Sequence, residues 1–471
     1  MPASCPGPLH RREFLRIGSL ALGGLGLSDI LRAQAAASPS RTNTTVILFW
    51  MWGGPSQLET WDCKPDAPSE YRGPLRPIHT TVPGMDMTEV FPLQAKLGHR
   101  VSLIRSLHHQ MASHNDGSIE LLTGKTPAKE DPTSTAKSDH PDFGMIASRL
   151  RGTSADGLPR YVGIPRVPFM VQPTYLGMTH SGFTTGDPSV PNFRPPNLSL
   201  DAGVDGTRLN DRRGLVAQLD RYRRGMDQMD QAGAARAASN AADLDVNGAW
   251  AATDGFRQQA FQLLTSSAVS NAFALDKELP ATRERYGQHL WGQSCLLARR
   301  LAEAGVSVIT IDALSPVPTR QIYFSWDDHS NPATGWNLEG AMRWRAPFMD
   351  QGLSALIEDI YARGLDQKVL VVAVGEFGRT PRLASPQGVL GRDHWPSAQS
   401  ALISGGGLRM GQVIGATTAK AEYPVERPLT PQDLLATVYR HLGIDYRATL
   451  NDLTGRPQHI LSSGEPIREL V

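Results

Sequence analysis

The sequence predicts an α/β fold: a doubly wound, mostly parallel sheet with helices on both faces and with irregular and helical insertions. Three observations carry this prediction. Short apolar runs without polar alternation, TTVILFW (44–50), VSVITIDA (306–313) and KVLVVAV (368–374), have the composition of strands buried on both faces. Helix-patterned segments lead into two of them, HLWGQSCLLARRLAEA (289–304) and MDQGLSALIEDIYARGLDQ (349–367). Each run gives way to a loop of glycine or polar residues, as strand carboxyl ends do in parallel sheets.

Taken in order, the first strand runs into Gly53 and Gly54 and leaves Pro55 to Asp62 at its carboxyl end, where open parallel sheets bind ligands. A second strand is expected at Val101–Ile104. The segment HHQMASHNDGSIELLTGKTP (108–127) starts polar and becomes helical, with Gly124 and Pro127 as stop signals. DHPDFGMIASRL (139–150) reads as a loop entering a helix. Pro, Gly, Asn and Thr dominate 163–211, which predicts irregular excursions, and 212–262 has the spaced apolar residues of amphipathic helices. Together 163–262 form an insertion in a single domain, 38–471. ALISGGG (401–407) is a further strand and TPQDLLATVYRHLGI (430–444) the closing helix.

Residues 1–37 stand apart from this fold. HRREFLR (10–16), a moderately apolar stretch from Gly18 to Leu31 and the small residues Ala35-Ala36-Ala37 resemble a twin-arginine signal peptide. That resemblance implies the twin-arginine translocase as an export partner and a periplasmic or other extracytoplasmic location. The segment holds four arginines and two acidic residues, so the formal charge of +1 becomes about −1 in the mature chain. No Lys/Arg-rich tract marks a nucleic-acid surface, and no later run approaches the length of a membrane span. Phosphate-loop and dinucleotide fingerprints are absent. Cys63 and Cys295 have no spacing signature, which leaves both a disulfide and two buried thiols open.

Polar residues gather after the expected strands. Asp327, Asp328 and His329 lie in SWDDHSN (325–331), Glu376 and Arg379 in GEFGRTP (375–381), and Arg392, Asp393 and His394 in GRDHWP (391–396). His114, Asn115 and Asp116 follow the second strand. Imidazoles mixed with carboxylates suit a divalent ion such as Zn²⁺ or Mn²⁺ and argue against an all-thiolate structural site.

These blocks, with GGPSQLETWDCKP (53–65), SHNDGSIELLTG (113–124) and GRDHWPSAQSALISGGGLRMGQVIGAT (391–417), resemble the DUF1501 family of exported, planctomycete-type proteins across essentially the whole mature chain. More distantly the chain is similar to the alkaline phosphatase and sulfatase superfamily, through ELLTG (120–124), VAVGEFG (372–378) and DLLATVYRHLGI (433–444). The resemblance implies hydrolysis of phosphate or sulfate esters with one or two metal ions. Asp327, His329, Glu376 and His394 are then the candidate metal ligands. His114 stands at the nucleophile position and becomes a candidate proton-transfer residue. Arg379 or Arg392 would fork onto substrate oxygens, and Asp393 would orient a ligating imidazole. The chain departs from the superfamily at Trp52-Gly53-Gly54, where an acidic ligand is expected, and at Phe377, where a histidine is expected. It departs from its own family at Gln57 and Glu59. Ser56 offers an alternative oxygen nucleophile, and a non-catalytic exported binding or scaffolding protein is the alternative function.

Overall fold

Thr45–Trp50 (β1) occupies the middle of an eight-stranded sheet in the computed structural model, and its residues show why: all six are buried. The structure describes residues 43–154, 156–196, 198, 211, 260–317, 325–333 and 335–471. The other strands of the sheet are Val101–Leu107 (β2), Tyr161–Ile164 (β3), Phe183–Thr184 (β4), Val308–Asp312 (β5), Val369–Val374 (β6), Gln399–Gly405 (β7) and Gln412–Ile414 (β8). Their spatial order is β8-β2-β7-β6-β1-β5-β3-β4. β1 pairs in parallel with β5 on one side and β6 on the other.

Side chains of successive strand residues point to opposite faces, so a strand covered on both sides needs apolar residues throughout. Ile47 and Phe49 join one hydrophobic cluster with Val371 and Ala373; Val46, Leu48 and Trp50 join the other with Leu370, Val372 and Val374. Two long helices, Leu290–Glu303 and Leu338–Ala362, contribute Leu296, Leu297, Leu353 and Leu356 to the first cluster. Helices His114–Thr123 (α1), Phe143–Arg151 (α2) and Pro431–His441 (α3) contribute Leu121, Ile146 and Leu435 to the second. The α/β class with helices on both faces is therefore as the sequence predicts.

Three details differ from the sequence reading. The helix expected from residue 349 begins at Leu338, capped by the Asn337 side chain on the Gly340 N–H, and carries Pro347 in its interior. The excursion from 163 is not wholly irregular, because β3 and β4 extend the sheet in parallel beyond β5. The strand at 399–405 runs antiparallel to both β2 and β6. No α-helix intervenes between β6 and β7, only a 3-10 turn at Pro386–Gly388 and a short ribbon, and a chain that returns without a crossover pairs antiparallel. Helices expected within 212–259, and the signal segment 1–37, lie outside the described residues.

The excursion between β6 and β7 places the GRDHWP loop. Gly378–Arg379 and His394–Trp395 form a small antiparallel ribbon that sets His394 opposite Arg379. Gly391 then passes so close to the chain at 330 that a Cβ would lie 1.9 Å from the Ser330 nitrogen, and the Arg392 N–H bonds the Asp328 carbonyl at 2.9 Å. Glycine is the residue that lets two loops meet at this distance.

Candidate metal centre

Four loops at strand carboxyl ends meet beside β1. Gly53 continues β1 with φ +112° and lies against the 326–327 backbone, where a Cβ would be 2.6 Å from the Asp327 nitrogen. Its N–H donates to Glu376 Oε1 at 2.7 Å, which ties the β1 loop to the β6 loop. His114 opens α1. Its ring is sandwiched between Trp52, stacked at 5.0 Å, and Phe377 at 5.3 Å.

The carboxylate of Asp327 sits at the centre. His114 Nε2 is 3.2 Å from its Oδ2, while His329 Nε2 and His394 Nε2 are 3.0 and 3.2 Å from its Oδ1. Donor atoms of His114, Asp327 and His394 all lie within 4.8 Å of one another, a spacing that can hold a metal ion. His329 Nε2 is 3.0 Å from His394 Nε2. Each imidazole is held from behind at Nδ1: His114 by Glu376 Oε1 at 2.7 Å, His329 by Asp393 Oδ1 at 2.8 Å, and His394 by the Ala112 carbonyl at 2.6 Å. With the proton fixed on Nδ1 by these acceptors, the Nε2 lone pairs face a common space.

Without an ion, a proton on His114 Nε2 takes the place that a cation would fill. Burial opposes charge on His114, yet its hydrogen bonds to Asp327 and Glu376 lift its pKa to about 9. Burial also works against the Asp327 carboxylate, but the Arg379 charge and the three imidazoles hold it well below the ordinary range. His329 is raised by its bond to Asp327; His394 is lowered by burial. Two neutral imidazoles whose lone pairs meet at 3.0 Å repel unless a proton or a cation lies between them. A nitrogen-rich donor set with one carboxylate fits Zn²⁺ or Mn²⁺, so the residues present suit the ion that the sequence suggests.

The sequence-selected residues separate into three groups here. Asp327, His329 and His394 converge as donors, and His114, expected to move protons, presents Nε2 to the same carboxylate. Glu376 and Asp393 lie behind imidazoles. Glu376 is fully buried, and its Oε2 has no hydrogen-bond partner among the described residues. Arg379 and Arg392 are not placed to fork onto a substrate, because both are fully buried and engaged. Arg379 donates from Nε to the Gly54 carbonyl at 2.7 Å and from Nη2 to the Gly53 carbonyl and to Asp327. Arg392 grips Glu59 with two bonds of 2.9 and 2.8 Å and donates also to the Tyr71 and Thr380 carbonyls. Ser56 is buried, with its hydroxyl on Glu59, which removes it as an exposed nucleophile. Asp328 pairs with the buried Arg345, and Asp116 accepts the Asp131 N–H, so neither reaches the centre. The aromatic walls Trp52 and Phe377 were noted in the sequence only as departures. Their signal is position, since Trp52 lies two residues and Phe377 three residues beyond the end of a buried strand.

The profile of a family described as "Protein of unknown function (DUF1501)" matches residues 43–471. The chain belongs to the DUF1501 family. No curated protein is similar to it at a significant level. Among solved structures, this DUF1501 chain is similar to the lipoteichoic acid synthase LtaP from Listeria monocytogenes, at 11% identity over 90% of this chain and 75% of the other, with a TM-score of 0.36. It is also similar to the PsFucS1 sulfatase from Pseudoalteromonas sp., at 11% identity over 91% and 72%, TM-score 0.35. A third is the phosphonate monoester hydrolase SpPMH from Silicibacter pomeroyi, at 13% identity over 90% and 76%, TM-score 0.29. The fold class of this DUF1501 member stands on its own sheet and layers.

Proposed function

We propose that this protein is a metal-dependent hydrolase of phosphate or sulfate esters that works outside the cytoplasm. The observation that carries the reading is the convergence of three imidazole Nε2 atoms on the Asp327 carboxylate, each ring locked at Nδ1 by an acceptor. His114, Asp327, His329 and His394 would hold the ion, which when bound supplies positive charge to polarise an ester oxygen and to acidify water.

The remaining residues prepare that chemistry. Glu376 and Asp393 keep protons on the outward nitrogens of His114 and His329, so that the inward lone pairs stay available. Arg379 fixes Asp327 and balances part of its negative charge. Trp52 and Phe377 cover the faces of His114 and keep water from its ring. With Ser56 buried and histidine at 114, water rather than a side-chain oxygen is the attacking group. Among the described residues no helix is long and apolar enough to cross a membrane, and the twin-arginine-like segment supports export by the twin-arginine translocase.

The test combines metal analysis with turnover. The purified mature protein should retain a stoichiometric divalent ion and hydrolyse at least one member of a panel of phospho- and sulfo-esters assayed with Zn²⁺, Mn²⁺, Mg²⁺ and Ca²⁺. His394→Ala should lose both metal and turnover. Activity unaffected by chelation and by His394→Ala would overturn the mechanism. Bound metal without turnover across the panel would favour an exported binding protein.

A further inference from the structure

Arg379 and Arg392 are engaged inside the protein, and a cation that still faces solvent lies just beyond β3, the strand next to β5. β5 ends at Asp312, whose carboxylate is 6% exposed. Asp312 accepts from Arg166 Nε at 2.6 Å, and Arg166 lies two residues beyond the end of β3. Burying a carboxylate is unfavourable unless it is paired. Here the pairing uses only Nε, so Nη1 and Nη2, the forked end of the guanidinium, have no partner among the described residues. The Arg166 side chain is 48% exposed.

The same loop carries Phe169, which is 43% exposed and meets Trp52 edge to face with ring centroids 6.1 Å apart. Trp52 in turn stacks on His114 at 5.0 Å. A continuous aromatic surface therefore runs from the imidazole cluster to the loop that holds Arg166. β1, β5 and β3 are successive strands, and two strand spacings put the ends of β1 and β3 roughly 10 Å apart. Lys137 adds a second cation above the outer ring, with Nζ 4.8 Å from the Phe169 centroid.

We propose that Arg166 and the Trp52–Phe169 surface form a subsite for the non-reacting part of the substrate: a ring-bearing ester with a second anionic group. The assignment rests on the hydrolase reading for the location of the reacting ester. Asp312 is the positioning residue, since it holds Nε and turns the guanidinium fork outward, the geometry that binds carboxylate or a second ester group through two bonds. The aromatic surface takes the ring in between.

Calorimetric titration of the Zn²⁺-supplemented protein with phenylphosphonate and with 4-carboxyphenylphosphonate tests this. The carboxylate should tighten binding by about tenfold, the increment of one charge-assisted hydrogen bond. Arg166→Gln should remove that advantage and leave phenylphosphonate unchanged, and Arg166→Lys should keep part of it. Phe169→Ala, at an exposed position, should weaken both ligands and guards against misfolding of the Arg166 variants. If phenylphosphonate binds and the carboxylate adds nothing, or if its advantage survives Arg166→Gln, the subsite is wrong and the hydrolase reading stands. If Zn²⁺ binds but neither phosphonate does, both readings fall.

Discussion

Replacing Arg392 by Met separates a structural arginine from a substrate-binding one. Arg392 is fully buried and Glu59 is 1% exposed, and the guanidinium grips the carboxylate through both oxygens. Truncating one partner of such a pair strands the other charge in a low-dielectric interior, a loss of about 3–5 kcal/mol. The Ser56 hydroxyl remains on Glu59 and offsets a little of this, while the Tyr71, Thr380 and Pro381 carbonyls lose a donor. A net loss within that range is expected. Urea unfolding of the chelator-treated mature protein measures it without the contribution of metal binding. The double variant Glu59→Gln/Arg392→Met should recover part of the loss, because no uncompensated charge is left. A loss below about 1 kcal/mol, typical of exposed ion pairs, would refute the reasoning. So would unchanged stability with a raised KM, the signature of a substrate contact.

Asp393→Asn keeps an oxygen behind His329 but removes its charge; because Asp393 is 67% exposed, metal affinity should fall by about tenfold, at the lower end for such partners, as read by competition with a chromogenic chelator. Cys63 and Cys295 are both free, and burial raises both thiols, Cys63 to about 12, so the native mature protein should react slowly with a disulfide reagent and show two thiols once unfolded; a count of zero would mean that they pair. Gly391→Ala should weaken metal binding along with stability, because its Cβ would push apart the loops that carry His394 and His329; unchanged affinity would show that the approach at Ser330 does not set the centre. Replacing Arg11 and Arg12 together by Lys should leave unprocessed precursor in the cytoplasm, seen by fractionation, and normal accumulation outside would remove the twin-arginine assignment.

The sheet was legible because burial on both faces leaves a local trace: TVILFW and VLVVAV are apolar throughout except for Thr45, whose hydroxyl is satisfied by the Val306 carbonyl. The direction of Gln399–Gly405 was not legible, since a strand's own residues do not encode which way its neighbour runs, and only the missing crossover helix betrays it. At the centre, Asp327, His329 and His394 could be chosen from sequence because each falls in a loop after a buried strand. The roles of Arg379 and Arg392 could not. A guanidinium looks the same in sequence whether it faces solvent or five buried oxygens, and its partners here, Glu59, Asp327 and the Gly53 and Gly54 carbonyls, are distant in the chain.

The residues at which the sequence departs from the expected ligand pattern share a physical role in three dimensions. Glycine at 53 removes the acidic side chain expected after β1 and lets the backbone N–H reach Glu376 instead. Glu376, relieved of facing the ion, holds His114 by Nδ1, and Phe377 covers the imidazole where another histidine would stand. Gly54 completes the exchange: with φ +75° and a would-be Cβ only 2.5 Å from the Phe377 ring, it leaves room for that ring alone. Gly53, Gly54 and Phe377 thus act together to place one imidazole. On the proposed metal-centre reading, Phe377→His should lower metal affinity by opening the His114 face, as read by competition with a chromogenic chelator; unchanged or tighter binding in that variant would contradict this role for the ring.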